Sequence, residues 1–190
     1  MENISLLRIN SSKLNNLIYI ANAKYNKDKT GRIIDYNIYI KHTKDGELYA
    51  ESTDGAALLR YYLAPIDTDL KQGESIIINV KKVKKFSGMV HLVRVNNVYM
   101  LDDMDNKATV EKVEGVWPNT DNVIPTTKER CNIYVEIRPE YIALKNDIFF
   151  RAGVPFCKGL YMPLLWNNEN AETTDGQVIY VVMPMRIERM

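Results

Sequence analysis

The stretch that decides the fold is IYVVMPMRI, which runs from Ile179 to Ile187. A run this apolar near the end of a chain predicts a buried sheet strand rather than a frayed terminus. Pro184 cannot donate a ladder hydrogen bond, so the strand must leave the sheet or reach its edge at that residue. Met183, Met185 and Ile187 then stand at a strand end, where flexible thioethers can line a groove. A core strand that simply ends in a proline is the alternative interpretation.

The composition is that of an ordinary globular chain. Its 190 residues suffice for one domain or a domain and a half with a substantial core. Hydrophobic residues make up 46%, and the formal net charge of +1 gives no whole-molecule attraction to nucleic acid. Cys131 and Cys157 form neither a zinc pattern nor a disulfide framework. With no signal-peptide pattern and no apolar stretch of membrane-spanning length, we expect a cytoplasmic protein.

A strand–helix–strands pattern recurs along the chain and predicts an α+β fold of repeated half-domains with antiparallel sheets. In the first copy, Ile4–Ile9 is the strand, and Ser11 and Ser12 are candidate N-caps of a helix that runs to about Tyr25. Helical spacing predicts that its buried face carries Leu14, Leu17, Ile18, Ala21 and Tyr25. A second stripe holds Lys13, Ile20, Lys24 and Lys27.

The rest of the chain continues this pattern. Val80, Val83 and Phe86 predict a short second helix, Pro139 at a first helical position predicts a third, and two prolines exclude a helix from Glu114 to Pro125. Lys44–Glu47 is a hairpin signal. Further strands are predicted at Ile33–Lys41, Leu48–Ser52, Ala56–Leu63, Ile76–Val80, Met89–Val95, Val98–Leu101, Ala108–Val113, Ile133–Ile137, Leu160–Trp166 and Val178–Ile187.

The residues provide no catalytic set. His42 and His91 sit within strand patterns and are interpreted as surface or packing residues rather than general bases. The cluster of Asp102, Asp103 and Asp105 indicates a solvated turn more than a metal site. No phosphate-loop, zinc-protease or serine-hydrolase motif occurs. The sequence therefore predicts a protein that is not an enzyme and needs no cofactor.

Lysines are the more informative charges. Four of them would lie on the exposed side of the short second helix, and three more on the first helix. Lysines repeated along one helix face can follow a phosphate backbone without reading bases, which gives salt-dependent affinity without sequence specificity. A solvated helix face is an equal alternative. The candidate DNA-binding residues are Lys13, Lys24, Lys27, Lys81, Lys82, Lys84 and Lys85.

Three stretches together resemble the bacterial DNA polymerase sliding clamp, the DNA polymerase III beta subunit, which encircles duplex DNA. The most specific match is the terminal run from Tyr180 to Ile187, which is nearly the family's C-terminal signature. Ser52-Thr53-Asp54-Gly55 resembles the clamp's Thr-Asp-Gly turn, and the stretch from Glu114 to Pro125 resembles the segment that closes a clamp domain. The three stretches also follow one another in the family's order.

The resemblance implies a groove that receives a short extended peptide from polymerases and other partners. Ala56 and Ala57 stand where the family has a bulky polar or basic pair, which makes one wall shallower. The lysines would line the inside of a ring. Carried over by motif, the groove comprises Thr53, Gly55, Leu58, Pro125, Val181, Met183, Pro184, Met185, Arg186 and Ile187.

The resemblance also implies a domain division and an assembly. Residues 1–125 resemble the family's middle domain and residues 128–190 the C-terminal half of its last domain, so a shortened relative without the N-terminal domain is expected. Counting domains, four copies would supply the material of one ring, which predicts a homo-oligomer. The leading hypothesis is a processivity factor that holds duplex DNA and tethers replication or repair proteins. The alternative is an adaptor or decoy that binds peptides without DNA.

Overall fold

The computed structural model describes residues 4–23, 31–65, 68–126, 137, 139–148, 164–167 and 177–183. Within them, ten antiparallel strands join into one sheet of order β1-β6-β7-β8-β5-β2-β3-β4-β10-β9. The strands are β1 Ile4–Asn10, β2 Asn37–His42, β3 Leu48–Thr53, β4 Ala57–Leu63, β5 Ser75–Asn79, β6 Met89–Val95, β7 Val98–Asp102, β8 Lys107–Lys112, β9 Leu164–Asn167 and β10 Val178–Val182. The helices are α1 Ser11–Asn22, α2 Pro139–Ile148 and a 3₁₀ turn at Thr120–Val123. Among the described residues, no helix is long and apolar enough to cross a membrane.

Helix α1 packs its apolar stripe on one face of the sheet. The predicted buried residues Leu14, Leu17, Ile18 and Ala21 are all buried. The predicted caps were wrong, because Asn10 is the N-cap, with its side chain accepting from the Ser12 amide at 2.9 Å. Ile20, predicted on the second stripe, is also fully buried. Lys24 and Lys27 of that stripe lie outside the described residues. The predicted extension to Tyr25 lies outside the described residues.

The strand predicted from Ile33 begins only at Asn37. Tyr36 has a φ of 62°, in the left-handed region, which breaks the extended backbone. This turn joins elements, because the Tyr36 amide donates to the Ala21 carbonyl at the end of α1 and the Tyr36 carbonyl accepts from Val80. Beyond it, Ile38 and Ile40 are buried in the core. The hairpin at Lys44–Glu47 is confirmed, with Gly46 at a φ of 89°.

The predicted short helix from Val80 to Phe86 does not form. A single turn closes with the Val83 amide on the Val80 carbonyl, and irregular backbone follows. Side chains satisfy the backbone there instead: Asn15 of α1 bonds both the amide and the carbonyl of Phe86, at 3.1 and 3.0 Å, and Asp103 accepts from Ser87 at 3.0 Å. A helix this short is only marginally stable, so these side-chain bonds, and not the helical spacing of the apolar residues, determine the backbone here.

The last strand is an interior strand. Strand β10 pairs with β4 on one side and β9 on the other, and the Met183 amide extends the ladder by donating to the Ala56 carbonyl at 2.8 Å. The predicted departure at Pro184 lies outside the described residues, as do most of the predicted strand Ile133–Ile137 and the start of Leu160–Trp166. Helix α2 begins at Pro139, as predicted. Between Pro118 and Pro125 the exclusion of helix was too strong, since one 3₁₀ turn fits there.

Candidate functional site

A pocket of about 250 Å³ lies on the sheet face opposite α1. Its floor is the cross-strand pair of Leu58 on β4 and Val181 on β10. Because side chains alternate along a strand, the neighbours Leu59 and Tyr180 point to the α1 side and join the main core. Leu58 and Val181 instead form a small separate cluster with Leu165. The pocket therefore has a rigid apolar floor made from strands distant in the sequence.

The first wall is the turn from Thr53 to Gly55. The Asp54 carboxylate accepts from the amides of Ala56 and Ala57 at 2.9 and 2.8 Å, while the Thr53 hydroxyl donates to the Ala57 carbonyl at 2.7 Å. Gly55 has a φ of 92°, a conformation that glycine adopts without strain. These local bonds explain why the Thr-Asp-Gly sequence forms the same tight turn before β4 that the sequence predicts.

Helix α2 is tied to this turn through buried groups. The Tyr141 hydroxyl donates to the Asp54 carboxylate at 2.5 Å, and the Tyr180 hydroxyl donates to the Tyr141 carbonyl at 3.1 Å. Asp54 and Tyr141 are only 3% and 2% exposed. Burial raises the pKa of Tyr180 above its usual value, with the nearby Tyr141 and Asp54 adding to the shift, so this hydroxyl remains a donor at neutral pH. These bonds link the turn to the start of α2 and to β10.

The second wall is the segment from Pro118 to Val123. Pro118, Asn119, Thr120 and Val123 line the pocket from this side, and the neighbouring Ile124 packs on the floor cluster. Val123 is 45% exposed, and Met183 across the pocket is 40% exposed. Within the described residues no charged side chain lines the pocket. Exposed apolar rims around an apolar floor favour the binding of an uncharged side chain.

A buried charge network lies under the second wall. Glu51 on β3 and Arg60 on β4 face each other, with Nε and Oε2 2.7 Å apart. The other oxygen of Glu51 accepts from the Trp117 indole at 2.6 Å and from the Thr120 hydroxyl at 2.8 Å. Arg60 also contacts Asp121 at 2.7 Å. Burial alone would lower the pKa of Arg60, but the Glu51 carboxylate and hydrogen bonds hold it above its usual value, so the guanidinium stays charged.

The structure brings five of the predicted groove residues together: Thr53, Gly55, Leu58, Val181 and Met183 all line the pocket. Pro125 is half-buried beyond the second wall and is not part of the lining. Pro184, Met185, Arg186 and Ile187 lie outside the described residues. Ala56 and Ala57, predicted to make one wall shallow, do line the pocket.

Sequence reasoning missed most of the second wall. No periodic pattern singles out these residues, because their place depends on side-chain bonds to strands far away in the sequence. The one available signal was the segment's resemblance to the end of a clamp domain. The missed lining residues are Ile34, Pro118, Asn119, Thr120 and Val123.

The second of the two helices predicted to carry DNA-binding lysines does not form, so its four lysines follow no helical stripe. Lys82 and Lys84 are exposed on irregular backbone beside α1, and Lys85 borders a cavity that α1 and α2 also line. The Lys81 ammonium lies 4.9 Å from the Tyr36 ring centroid, and that of Lys13, on α1, lies 6.0 Å from the Tyr61 ring centroid. Lys24 and Lys27 are outside the described residues. Lys13 on α1 and Lys85 at this cavity lie on the α1 side of the sheet, opposite the pocket.

The other residues considered in the sequence have structural places. Asp103 accepts from the amides of Ser87, Asp105 and Asn106, and the hydrogen bond from Ser87 contributes most to lowering the pKa of its carboxyl. The described residues hold no cluster that could bind a metal ion. His42 is buried, with Nδ1 2.6 Å from the Leu70 carbonyl, which fits a packing role.

One antiparallel sheet with helices packed on it is consistent with the DNA-clamp fold. Solved bacterial sliding clamps share this architecture. The chain superposes on the beta sliding clamp of Caulobacter crescentus with a TM-score of 0.64 at 15% identity, over 97% of this chain and 66% of that one. For the Bacillus subtilis clamp the values are 0.60, 14%, 95% and 64%. For the Pseudomonas aeruginosa DNA polymerase III subunit beta they are 0.58, 17%, 98% and 67%.

These comparisons confirm the predicted fold. The chain spans about two thirds of the length of the clamps that it matches. No protein-family model and no curated protein sequence matches it. The likeness is therefore one of three-dimensional structure, and the site residues must be argued from this chain's own contacts.

Proposed function

We propose that this chain is a clamp-like processivity factor, which associates with duplex DNA without sequence specificity and tethers replication or repair proteins through the pocket. The observation that carries the proposal is the pocket itself. It is uncharged, has an apolar floor and exposed apolar rims, and lies between two walls that hydrogen bonds and packing hold in place. The clamp fold around it supports a role of the same kind.

The pocket volume defines what the partner would insert. At about 250 Å³ it is smaller than the range of roughly 300–1,000 Å³ typical of small-molecule sites. A space of this size suits one or two apolar side chains of an extended peptide, which is the anchor mode of many peptide-binding surfaces. Thr53 and Thr120 supply the polar edges.

Peptide binding is tested with a fluorescein-labelled peptide that carries the clamp-binding segment of a bacterial replicative polymerase. Met183→Asp places a charge on the exposed rim and should weaken binding at least about tenfold, or about 1.4 kcal/mol, because the carboxylate is desolvated when the anchor enters. Met104→Asp is the matched control, since Met104 is 90% exposed in the β7–β8 turn and away from the pocket. Equal affinity of wild type and Met183→Asp would refute the pocket assignment.

DNA association is tested separately. Lys13 and Lys85 lie on the side of the sheet opposite the pocket, so both partners could bind at once. Retention on nicked circular DNA should fall as salt rises, and Lys82→Glu with Lys84→Glu should abolish it. Lys44→Glu with Lys71→Glu changes the same total charge at distant exposed positions and should leave retention intact. Retention unchanged by the Lys82 and Lys84 changes would contradict the DNA-holding role.

One observation favours the second candidate, a peptide-binding adaptor that does not hold DNA. The predicted lysine helix is absent, and the ammonium groups of Lys13 and Lys81 lie near tyrosine rings rather than projecting along a helix. In this case peptide affinity would remain, while the lysine changes would alter nothing. Sedimentation equilibrium with and without duplex DNA separates the two, because a closed oligomer favours the ring and a monomer in both conditions favours the adaptor.

A further inference from the structure

The Glu51–Arg60 pair is placed where it does little for the sheet itself. Both side chains are almost fully buried, at 0% and 4% exposure, on the face opposite α1. Taking two charges out of water is costly, and replacing such a pair by apolar residues of similar volume is often neutral for stability. The pair therefore calls for an explanation beyond the pairing of β3 with β4, which the backbone ladder already provides.

Apart from a bond of 3.4 Å from Arg60 to the Tyr62 hydroxyl, the remaining bonds of the pair lead to one segment. Glu51 accepts from Trp117 and Thr120, and Arg60 donates to Thr120 at 2.8 Å and contacts Asp121. The Trp117 indole also stacks on the Tyr39 ring, with centroids 5.3 Å apart and planes inclined by 10°. Five polar or aromatic contacts thus attach the chain from 117 to 121 to the sheet.

This segment is the second wall of the pocket. Thr120 both lines the pocket and bonds the ion pair, while Glu51 and Arg60 themselves do not reach the lining. Arg60 and Leu58 lie two residues apart on the same face of β4, so the pair stands directly beside the pocket floor. The 3₁₀ turn has few bonds of its own, the Ile124 amide on the Asp121 carbonyl at 3.3 Å being one of them.

We propose that Glu51 and Arg60 are positioning residues of the pocket: they hold the wall from Pro118 to Val123 at the distance from Leu58 and Val181 that a bound side chain requires. The inference rests on the proposed function where it concerns peptide affinity. Its geometric part, that the pair fixes the wall, stands independently. Tyr49 supports the arrangement, because its ring lies 4.3 Å from the Arg60 guanidinium and limits where the charge can move.

The key variant is Glu51→Met with Arg60→Met, which removes both charges and keeps apolar volume. Amide hydrogen exchange at residues 120–124 should become at least about tenfold faster than in wild type, while the amides of the β3–β4 ladder keep their protection. Affinity for the labelled polymerase peptide should weaken at least about tenfold. Lys107→Met is the control. It removes the ion pair between Lys107 and Asp102, which are 2.9 Å apart and do not contact either wall of the pocket.

Two further variants keep the test decisive if the double variant is poorly folded. Thr120→Val removes only the hydroxyl that joins the pair to the wall and should accelerate the same amides. Arg60→Lys keeps a positive charge opposite Glu51, but one ammonium cannot bond Glu51, Thr120 and Asp121 together as the guanidinium does. The amides of the β3–β4 ladder should therefore stay protected from exchange, while those of the wall should exchange faster.

The outcomes separate the two proposals. A wild type that binds no peptide overturns the proposed function, yet faster wall exchange in the variants would still uphold the positioning role. Wall exchange and peptide affinity equal to wild type in a folded double variant would overturn the positioning role while leaving the pocket assignment intact.

Discussion

The hydrogen bond between Tyr141 and Asp54 allows a prediction whose size follows from the structure. Tyr141→Phe removes one hydroxyl and leaves the ring in place, so no cavity forms. Asp54 retains its two backbone donors on one carboxylate oxygen, but the other oxygen loses Tyr141 and stays buried at 3% residue exposure. Hydrogen bonds to charged groups contribute about 1.5–3 kcal/mol, and an unsatisfied buried acceptor makes the loss greater rather than smaller. We therefore expect the free energy of unfolding to fall by about 1.5–3 kcal/mol.

Urea unfolding followed by circular dichroism measures this change, with an unchanged slope expected because the exposed surface is the same. Tyr99→Phe is the matched control, since the hydroxyl of half-buried Tyr99 bonds none of the described residues; its effect should stay within about 0.5 kcal/mol. A loss below about 0.5 kcal/mol for Tyr141→Phe would refute the reasoning, because it would mean that the Asp54 oxygen finds another donor at no cost.

Three further changes test other parts of the fold. Leu17→Ala should lower the free energy of unfolding by about 2–5 kcal/mol, because Leu17 is fully buried on the inner face of α1. Gly55→Ala should lower the free energy of unfolding by about 1–2 kcal/mol, because Gly55 has a positive φ. The loss should exceed that of Gly31→Ala, because Gly31 has a similar φ but a Cβ added there would meet no atom within 4 Å. The lowered pKa of Asp103 means that its carboxylate stabilises the fold above its usual pKa of 3.8 and loses that effect as the pH falls through the folded-state value. Urea unfolding measured from pH 6 to about pH 3 should show that Asp103→Asn loses less unfolding free energy on acidification than wild type does. An equal loss in the two proteins would contradict this.

Local signals predicted much of the sheet. Strand β6 was predicted at its observed bounds, and the hairpin after β2 followed from a glycine turn, because alternation and turn chemistry are encoded within a few residues. The errors lie where bonds to distant parts of the chain decide the backbone conformation. Tyr36 breaks a strand because its backbone bonds α1 and Val80, and the helix after Val80 fails because Asn15 and Asp103 bind its backbone.

The same distinction divides the candidate site. The Thr-Asp-Gly turn is stabilised by its own side chains, so the sequence predicts it together with the adjoining Leu58. The opposite wall is set by Glu51 and Arg60, whose significance appears only when β3 and β4 are placed beside the segment that follows Trp117. Charged residues in a strand pattern look like solvent-facing positions until their partners are known.

The pairing of β4 with β10 has a consequence for synthesis. Leu58 emerges from the ribosome well before Val181, and chains begin folding from the N-terminus as they are made. Contacts so distant in sequence form late. A nascent chain that has not yet reached β10 therefore lacks Val181, one of the two residues of the pocket floor. Translation itself would act as a checkpoint, because only chains that include β10 can complete the pocket.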